Sequence, residues 1–282
     1  MFTLGKTTQA LAILPLVMVL MSADFREEGP ILFKIDFEND QLGTYSDEQL
    51  LHDFSFPRWN DGVTEGRVTI VVDDNNKKNR CIRVLYPQGA VGPKPGGAQW
   101  DYKLGQTFDE LYCSYRVKFG KKFDFIKGGK LPGLAGGKTN TGGHRPDGTD
   151  GWSARMMWRK EGKAVQYVYH ADQASNYGDD FEWRTDYGAS TFLTNQWYTV
   201  EHHVVMNTPG NKDGRIEAWL DGVKVLDKTD LRFREGNNFG IDTFMFSTFF
   251  GGNDPSRRPT KEEFTYFDDF IVSTQRITKD KE

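Results

Sequence analysis

Four polar side chains alternate along two neighbouring strand-like segments in the middle of this 282-residue chain. Successive side chains of a β-strand point to opposite faces of the sheet. Ser153 and Arg155 therefore share one face of the segment GWSARMMW. Tyr167 and Tyr169 share one face of the segment KAVQYVYH, and the glycine-containing turn RKEG joins the two segments. The pattern predicts a β-hairpin with one polar face.

The two pairs of side chains face each other if the turn is centred on Glu161. Arg155 then lies opposite Tyr167, and Ser153 lies opposite Tyr169, at a distance where cross-strand side chains interact. A slip of one residue in the pairing would place the two sets on different faces. We therefore predict that a hydroxyl, a guanidinium and two phenols share one patch of sheet, which is the candidate active site.

This set of groups suits β-elimination from a uronic-acid polymer. The reaction removes the C5 proton, which is α to a carboxylate, and protonates the 4-O leaving group, while a cation neutralises the carboxylate. A tyrosine can transfer either proton, because a nearby guanidinium lowers the pKa of a phenol. Arg155, or Lys130 in the preceding segment KGGKLPGLAGG, can neutralise the carboxylate. Tyr167 and Tyr169 can then divide the proton transfers.

Two other classes of function stay open. A glycoside hydrolase normally needs two carboxylic acids that flank the scissile bond, and only Glu201 and Glu217 are candidates, isolated from each other. Nucleophilic serine chemistry is not favoured, since Ser153 has no GxSxG motif around it. A non-catalytic carbohydrate-binding module of the same fold would need the aromatic residues, but it would not need the arginine and tyrosine set.

The loops around the hairpin are basic although the chain as a whole is acidic. The formal net charge is −4, which argues against a general nucleic-acid binder. Lysine, arginine and histidine nevertheless cluster between residues 127 and 163, interleaved with aromatic residues. A basic groove on an acidic protein indicates an anionic ligand that is held locally. The predicted substrate-binding residues are Lys127, His144, Arg145 and Trp158.

Residues 1–23 are typical of a secretory signal peptide. Lys6 gives a short positive region, and Ala10–Met21 is an apolar run. Ser22 and Ala23 are small enough for cleavage nearby, and the run is too short to span a bilayer comfortably. We expect a secreted, extracellular protein that leaves the membrane after signal removal and acts as a monomer.

Residues 24–282 are predicted to form one domain. Around ten to twelve strand-like segments are separated by Gly, Asn, Asp and Pro, and no stretch shows long helical periodicity. Asp221-Gly222 fits a two-residue hairpin turn, and the region from Asn39 to Asn60 is predicted to be a loop. The prediction is an all-β fold, a two-sheet antiparallel β-sandwich of the jelly-roll type with a concave substrate groove.

The chain has two cysteines, Cys81 and Cys113, both in strand-like segments. An exported protein can oxidise such a pair, so one disulfide is a candidate feature. Two buried free thiols are the alternative, because cysteine packs well as a small hydrophobe. No CxxC, HExxH or other spacing typical of a metal site is present, so no metal is predicted.

Several segments together make the chain similar to polysaccharide lyase family 14, which contains alginate and polyglucuronate lyases. The similarity rests on KGGKLPGLAGG, GWSARMMW and QYVYH, supported by WYTVEHHVVMNTPG and GRIEAWLDG. It covers most of the mature chain and is strongest from about Phe119 to Leu226. The resemblance implies a β-jelly roll, an anionic polysaccharide substrate (alginate or polyglucuronate), and catalysis without an obligatory metal or other cofactor.

The resemblance also implies which residues are catalytic: the lysine of GGKLPG, the serine and arginine of S-x-R and the tyrosines of Y-x-Y. These positions are Lys130, Ser153, Arg155, Tyr167 and Tyr169. We expect Tyr169 to act as base and acid with Tyr167 assisting, and Lys130 is an alternative base if burial lowers its pKa. Mannuronate and glucuronate differ only at C2, so the preferred substrate stays open.

Overall fold

The computed structural model describes residues 30–252 and 254–277 of the chain, together with Met1. The predicted signal peptide, residues 1–23, therefore lies outside the described residues except for Met1. Within the described ranges, no helix is both long enough and apolar enough to cross a membrane.

Strands dominate the described part of the chain. They are β1 (Ile31–Ile35), β2 (Gly43–Thr44), β3 (Val68–Val72), β4 (Arg80–Tyr86), β5 (Gly97–Phe108), β6 (Glu110–Phe119), β7 (Gly128–Gly137), β8 (Gly151–Arg159), β9 (Ala164–Tyr169), β10 (Asp179–Glu182), β11 (Arg184–Thr185), β12 (Gly188–Ala189), β13 (Trp197–Val205), β14 (Gly214–Leu220), β15 (Val223–Leu231), β16 (Ile241–Phe250) and β17 (Glu263–Ser273). The helices are α1 (Asp47–Phe54) and α2 (Pro93–Gly96), and short 3₁₀ turns cover Lys160–Gly162 and Pro255–Arg257.

Two antiparallel sheets contain most of these strands. Over the residues described, a nine-stranded sheet has the order β15-β14-β13-β6-β17-β4-β3-β2, with β1 paired to β17. A six-stranded sheet has the order β10-β9-β8-β7-β16-β5, and β11 and β12 form a separate hairpin. The predicted all-β, two-sheet sandwich of the jelly-roll type is confirmed. Short strands such as β2, β11 and β12 make the strand count higher than we predicted.

The core lies between the two sheets and is mainly aromatic. Phe246 of β16 packs against Phe267 of β17 with 5.2 Å between the ring centroids. In β8, the even-numbered side chains from Trp152 to Trp158 are buried in this core. The odd-numbered side chains of β8 must point to the other face of the six-stranded sheet, because strand side chains alternate. The alternation predicted from GWSARMMW is confirmed, and it leaves a sheet face for a site.

Local sequence explains one turn that was predicted and one helix that was not. Asp221 and Gly222 join β14 to β15 with φ angles of 51° and 81°, as a two-residue hairpin turn requires. Helix α1 lies in the region predicted to be a loop, so that prediction was wrong. Ser46 and Gln49 form a capping box at its start, and this signal was missed because the helix has only 8 residues.

Of the two alternatives for the cysteines, the structure has the buried free thiols. Cys81 on β4 and Cys113 on β6 are both free and buried. Both strands pair with β17, one on each side, so the two cysteines are separated by about two strand spacings, roughly 10 Å. A disulfide requires Cα atoms closer than about 7 Å. Burial raises the pKa of the Cys81 thiol to about 12, which keeps it unreactive.

Candidate active site

The hairpin of β8 and β9 has the predicted register. Arg155 pairs with Tyr167, and Ser153 pairs with Tyr169. The turn between the strands is centred on Glu161, which adopts a positive φ of 63°. The four side chains therefore share the face of the six-stranded sheet that points away from the core.

Strand β7, which contains GGKLPGLAGG, lies on the other side of β8 and was not predicted as a strand. Glycine and proline are depleted in strands, so propensity argues against one here. The register shifts between Lys130 and Gly133, which is a β-bulge at the proline and places Lys130 beside Met157 of β8. A Cβ atom on Gly133 would lie 2.2 Å from the Ala154 carbonyl oxygen. The glycines are therefore needed for close strand packing.

A cleft of about 870 Å³ lies over this sheet face. Four of the five predicted catalytic residues line it: Lys130, Arg155, Tyr167 and Tyr169. Ser153 does not line it, because its side chain is fully buried and its hydroxyl donates to the Asn140 carbonyl at 2.7 Å. Ser153 thus holds the loop of residues 138–150 over the sheet, and its position supports a structural role.

Arg155 is a buried cation without a carboxylate partner among the described residues. Its side chain is 2% exposed, and one guanidinium nitrogen donates to the Ser247 hydroxyl at 3.2 Å. Its Nε has no hydrogen-bond partner in the described structure. Burying a charge without a partner is costly, so this group is suited to bind an anion that enters the cleft.

Lys130 has an amine in an unusual environment. Its Nζ lies 2.9 Å from Met157 Sδ and 3.4 Å from the centroid of the Tyr167 ring. Burial lowers the pKa of Lys130 well below its ordinary value, and the nearby guanidinium groups of Arg155 and Arg159 lower it further. A neutral amine at this position can accept a proton.

The two tyrosines are held at right angles, with 5.5 Å between the ring centroids and an interplanar angle of 86°. The Gly178 amide donates to the Tyr167 hydroxyl, and the Gly143 amide donates to the Tyr169 hydroxyl, each at 3.2 Å. Burial raises the pKa of Tyr167, and a hydrogen bond with Tyr169 raises it further. Arg155 lowers this pKa by a smaller amount, so the expected stabilisation of a phenolate is wrong for Tyr167.

None of the predicted substrate-binding residues lines the cleft. Lys127 lies outside the cleft lining and donates to the Ser256 hydroxyl at 2.5 Å. His144 and Arg145 are exposed on the loop of residues 138–150 and do not line the cleft either. For Trp158 the prediction was wrong, because its side chain is fully buried in the core and its indole nitrogen donates to the Phe125 carbonyl at 3.2 Å.

Two arginines in the cleft were not predicted to bind substrate. Arg159 lies on the odd-numbered face of β8, and this alternation could have identified it from the sequence. It forms a bidentate pair with Asp180 at 2.5 and 2.7 Å. Arg257 comes from a 3₁₀ turn that the sequence did not indicate, and its Nε lies 3.4 Å from Asp254. Both cations have carboxylate partners, so Arg155 differs from them.

The acids required for a hydrolase are remote from the cleft. Glu201 of β13 and Glu217 of β14 lie in the nine-stranded sheet. Glu201 accepts a hydrogen bond from Arg276 at 2.8 Å, and Glu217 accepts one from His203 at 2.9 Å. The neighbouring Val200 and Val204 of β13 face the core, so Glu201 points away from the second sheet. The glycoside hydrolase interpretation gains no support from this geometry.

Known proteins share this fold. The Polysaccharide lyase 14 family model matches residues 74–270. The structure of alginate lyase Aly36B is 27% identical with a TM-score of 0.74, covering 87% of this chain and 98% of that protein. The alginate lyase from Aplysia kurodai is 24% identical with a TM-score of 0.70, covering 87% of this chain and 99% of that protein. At this identity the second likeness shows the fold alone.

The same fold is found in a structure of lower sequence identity. The endo-β-1,4-glucuronan lyase from Trichoderma reesei is 13% identical with a TM-score of 0.56, covering 87% of this chain and 96% of that protein. No curated protein sequence is significantly similar to this chain. The family match covers more than half of the chain and includes the strands that form the cleft floor. The chain belongs to polysaccharide lyase family 14 and is a polysaccharide lyase.

Proposed function

We propose that this enzyme is a secreted polyuronate lyase. It cleaves the 1,4-glycosidic bond of alginate (polymannuronate) or polyglucuronate by β-elimination, and it leaves a 4,5-unsaturated uronate at the new end. The observation that carries the proposal is the buried guanidinium of Arg155, which faces the cleft without a carboxylate partner among the described residues. A variant of alginate lyase Aly36B, 26% identical, has been solved in complex with an alginate tetrasaccharide, which supports the substrate class.

Arg155 binds the carboxylate beside C5. Its guanidinium presents several N–H donors in one plane, which match the two oxygens of a carboxylate. The bound cation stabilises the charge that develops on this carboxylate when the C5 proton leaves. The cleft floor is buried, so the interaction is less screened by water than one at the protein surface.

Lys130 removes the C5 proton. Its lowered pKa makes the neutral amine available, and neutral amines are effective general bases when their pKa lies near the working pH. This assignment takes the alternative base that the sequence left open, so Tyr169, first expected to be both base and acid, keeps only the role of acid. Tyr167 is not the base, because its pKa is raised and it remains protonated.

Tyr169 donates a proton to the 4-O leaving group. The C5–H and C4–O bonds break, the C4=C5 double bond forms, and the phenolate of Tyr169 remains until it is reprotonated. The Gly143 amide donates to the Tyr169 oxygen at 3.2 Å, so this group is positioned to stabilise the phenolate. Tyr167 assists through its hydrogen bond with Tyr169.

The test is ultraviolet absorbance of the conjugated double bond in the unsaturated uronate. Purified protein is mixed separately with polymannuronate, polyguluronate and polyglucuronate. We expect absorbance to rise with polymannuronate or polyglucuronate, and to be lost in Arg155→Ala. Binding of a polymer without any rise would favour the non-catalytic carbohydrate-binding module. Cleavage products without the double bond would favour a hydrolase.

Export is the second part of the proposal. The apolar run Ala10–Met21 after Lys6, followed by small residues, supports a cleaved signal peptide. The protein secreted into culture medium should begin near residue 24 and elute as a monomer in size-exclusion chromatography. An intact amino terminus on protein retained in cells would contradict export.

A further inference from the structure

The chain extends the cleft sheet beyond its edge strand β5. Asp61 forms an isolated antiparallel bridge with Gln99 of β5, and the Gln99 amide donates to the Asp61 carbonyl at 3.0 Å. Gln99 lines the cleft. The segment that leads to Asp61, residues 55–60, is therefore next to the end of the cleft.

Arg58 ties this segment to the cleft side of β5. Its backbone amide donates to Asp101 Oδ1 at 2.8 Å, and its guanidinium lies 2.7 Å from Asp101 Oδ2. The guanidinium also donates to the Thr139 hydroxyl at 2.7 Å, at the start of the loop over the cleft. Asp101 shares a strand face with Gln99, since side chains two residues apart point the same way.

Beside Arg58, the segment exposes aromatic rings on a strained backbone. The Arg58 guanidinium lies 3.9 Å from the centroid of the Trp59 ring, and Trp59 is 39% exposed. Ser55, Phe56 and Trp59 have φ angles of 41°, 60° and 70°. Such angles are uncommon for residues other than glycine, and strain of this kind concentrates where ligands bind.

A second cleft, of about 410 Å³, lies against Trp59. Leu50, Leu51 and Phe56 give it apolar walls. Asp47 also lines it and accepts a hydrogen bond from Asn60 at 2.8 Å. Apolar walls with a few polar groups at the edge fit the face of a sugar ring and its hydroxyls.

The distance to the reacting centre suits a distant unit of the same polymer. Arg155 pairs with Gly133, Gly133 with Met245, and Met245 with Asp101, across four adjacent strands. Three strand spacings correspond to about 14 Å. A polysaccharide that crosses the strands from Arg155 would therefore reach Arg58 after a few sugar units.

We propose that Arg58 and Trp59 form a distal subsite that binds a uronate unit of the polymer several units from the scissile bond. This proposal rests on the polyuronate lyase function proposed above. The free face of the Trp59 indole stacks on the pyranose ring. A guanidinium has five N–H donors, so Arg58 can bind a substrate carboxylate while it keeps its contacts to Asp101 and Thr139.

The test uses Trp59→Ala in the full chain, with the absorbance assay on long polymer and on a trisaccharide prepared from it. We expect the ratio of kcat/KM for polymer to kcat/KM for trisaccharide to fall by roughly three- to tenfold, the magnitude of one aromatic contact. Tyr187→Ala is the matched control, since Tyr187 is 101% exposed on the β11–β12 hairpin, and its ratio should equal that of the wild type. An unaltered ratio in Trp59→Ala, including an equal loss on both substrates from misfolding, would overturn the proposal.

Failure of the lyase function is distinguishable from failure of the subsite. If the wild type forms no unsaturated product from any polymer, affinity electrophoresis in gels containing polyuronate replaces the kinetic assay. Weaker retardation of Trp59→Ala than of wild type and Tyr187→Ala would support the subsite. Equal retardation of all three proteins would overturn the proposal. It would also be overturned if Trp59→Ala were retarded less only in gels that contain a neutral polymer, such as hydroxyethyl cellulose.

Discussion

At the scale of single residues, the proposed reaction depends on the Lys130 amine being neutral before it accepts the C5 proton. The charged groups around the Lys130 amine are Arg155, Arg159, Asp180 and Arg257. Burial and the three guanidinium groups lower the pKa of Lys130, and Asp180 opposes them. A general base works in its deprotonated form, so kcat/KM should rise as the pH passes through this lowered pKa. An exposed lysine would instead require a pH of about 10.

Met157→Glu tests the assignment of Lys130. Met157 Sδ lies 2.9 Å from the Lys130 amine, and a carboxylate there would stabilise the ammonium form and raise its pKa. The acidic limb of the kcat/KM profile should move to higher pH by roughly one unit or more. Met157→Leu adds no charge, so its limb should stay in place even if its rate falls. An unmoved limb in Met157→Glu would show that Lys130 is not the base.

Tyr169→Phe removes only the hydroxyl that is proposed to protonate the leaving group. The change leaves the ring and its packing against Tyr167, so folding and substrate binding should be nearly intact. Turnover should fall by roughly 10²-fold or more, because loss of a general acid acts on the transition state. The measurement is kcat with saturating polymer, with the circular dichroism spectrum as a check on folding. Near-normal turnover would exclude Tyr169 as the acid.

At the scale of secondary-structure elements, alternation was the most informative property of the sequence. It gave the register of Arg155 with Tyr167 and the faces of β8 correctly. The same alternation placed Trp158 on the opposite face, and the substrate-binding prediction ignored this in favour of its aromatic character. Strand β7 was not predictable from propensity, since its glycines reflect the close approach of β8, which is a tertiary contact.

Gly133→Ala tests the close packing of β7 on β8. The added Cβ would lie 2.2 Å from the Ala154 carbonyl oxygen, so the strands would have to separate near Arg155. We expect a loss of stability of about 1–3 kcal/mol or more, measured by urea denaturation, together with lower activity. Gly236→Ala is the control, because a Cβ there would meet only Asn238 at 3.5 Å. Equal midpoints for the two variants would contradict the packing argument.

At the scale of the whole molecule, the sandwich separates packing from chemistry. One face of the six-stranded sheet packs in the core, and the other carries the cleft. Composition and strand spacing were sufficient to predict this architecture. They could not predict Arg257 in the cleft wall or Arg58 beside the end of the cleft. Both residues come from irregular segments whose positions depend on contacts distant in sequence, such as that of Arg58 with Asp101.

Stability should not depend on the redox state of the two cysteines. Cys81 and Cys113 are fully buried in strands on either side of β17, so no bridge can form without separating the sheet. Thermal unfolding midpoints should be equal with and without reductant. An alkylating reagent should modify both thiols only when the chain unfolds, at the rate of global opening. A lower midpoint in reductant, or thiols that stay unmodified in denaturant until they are reduced, would show that a disulfide forms.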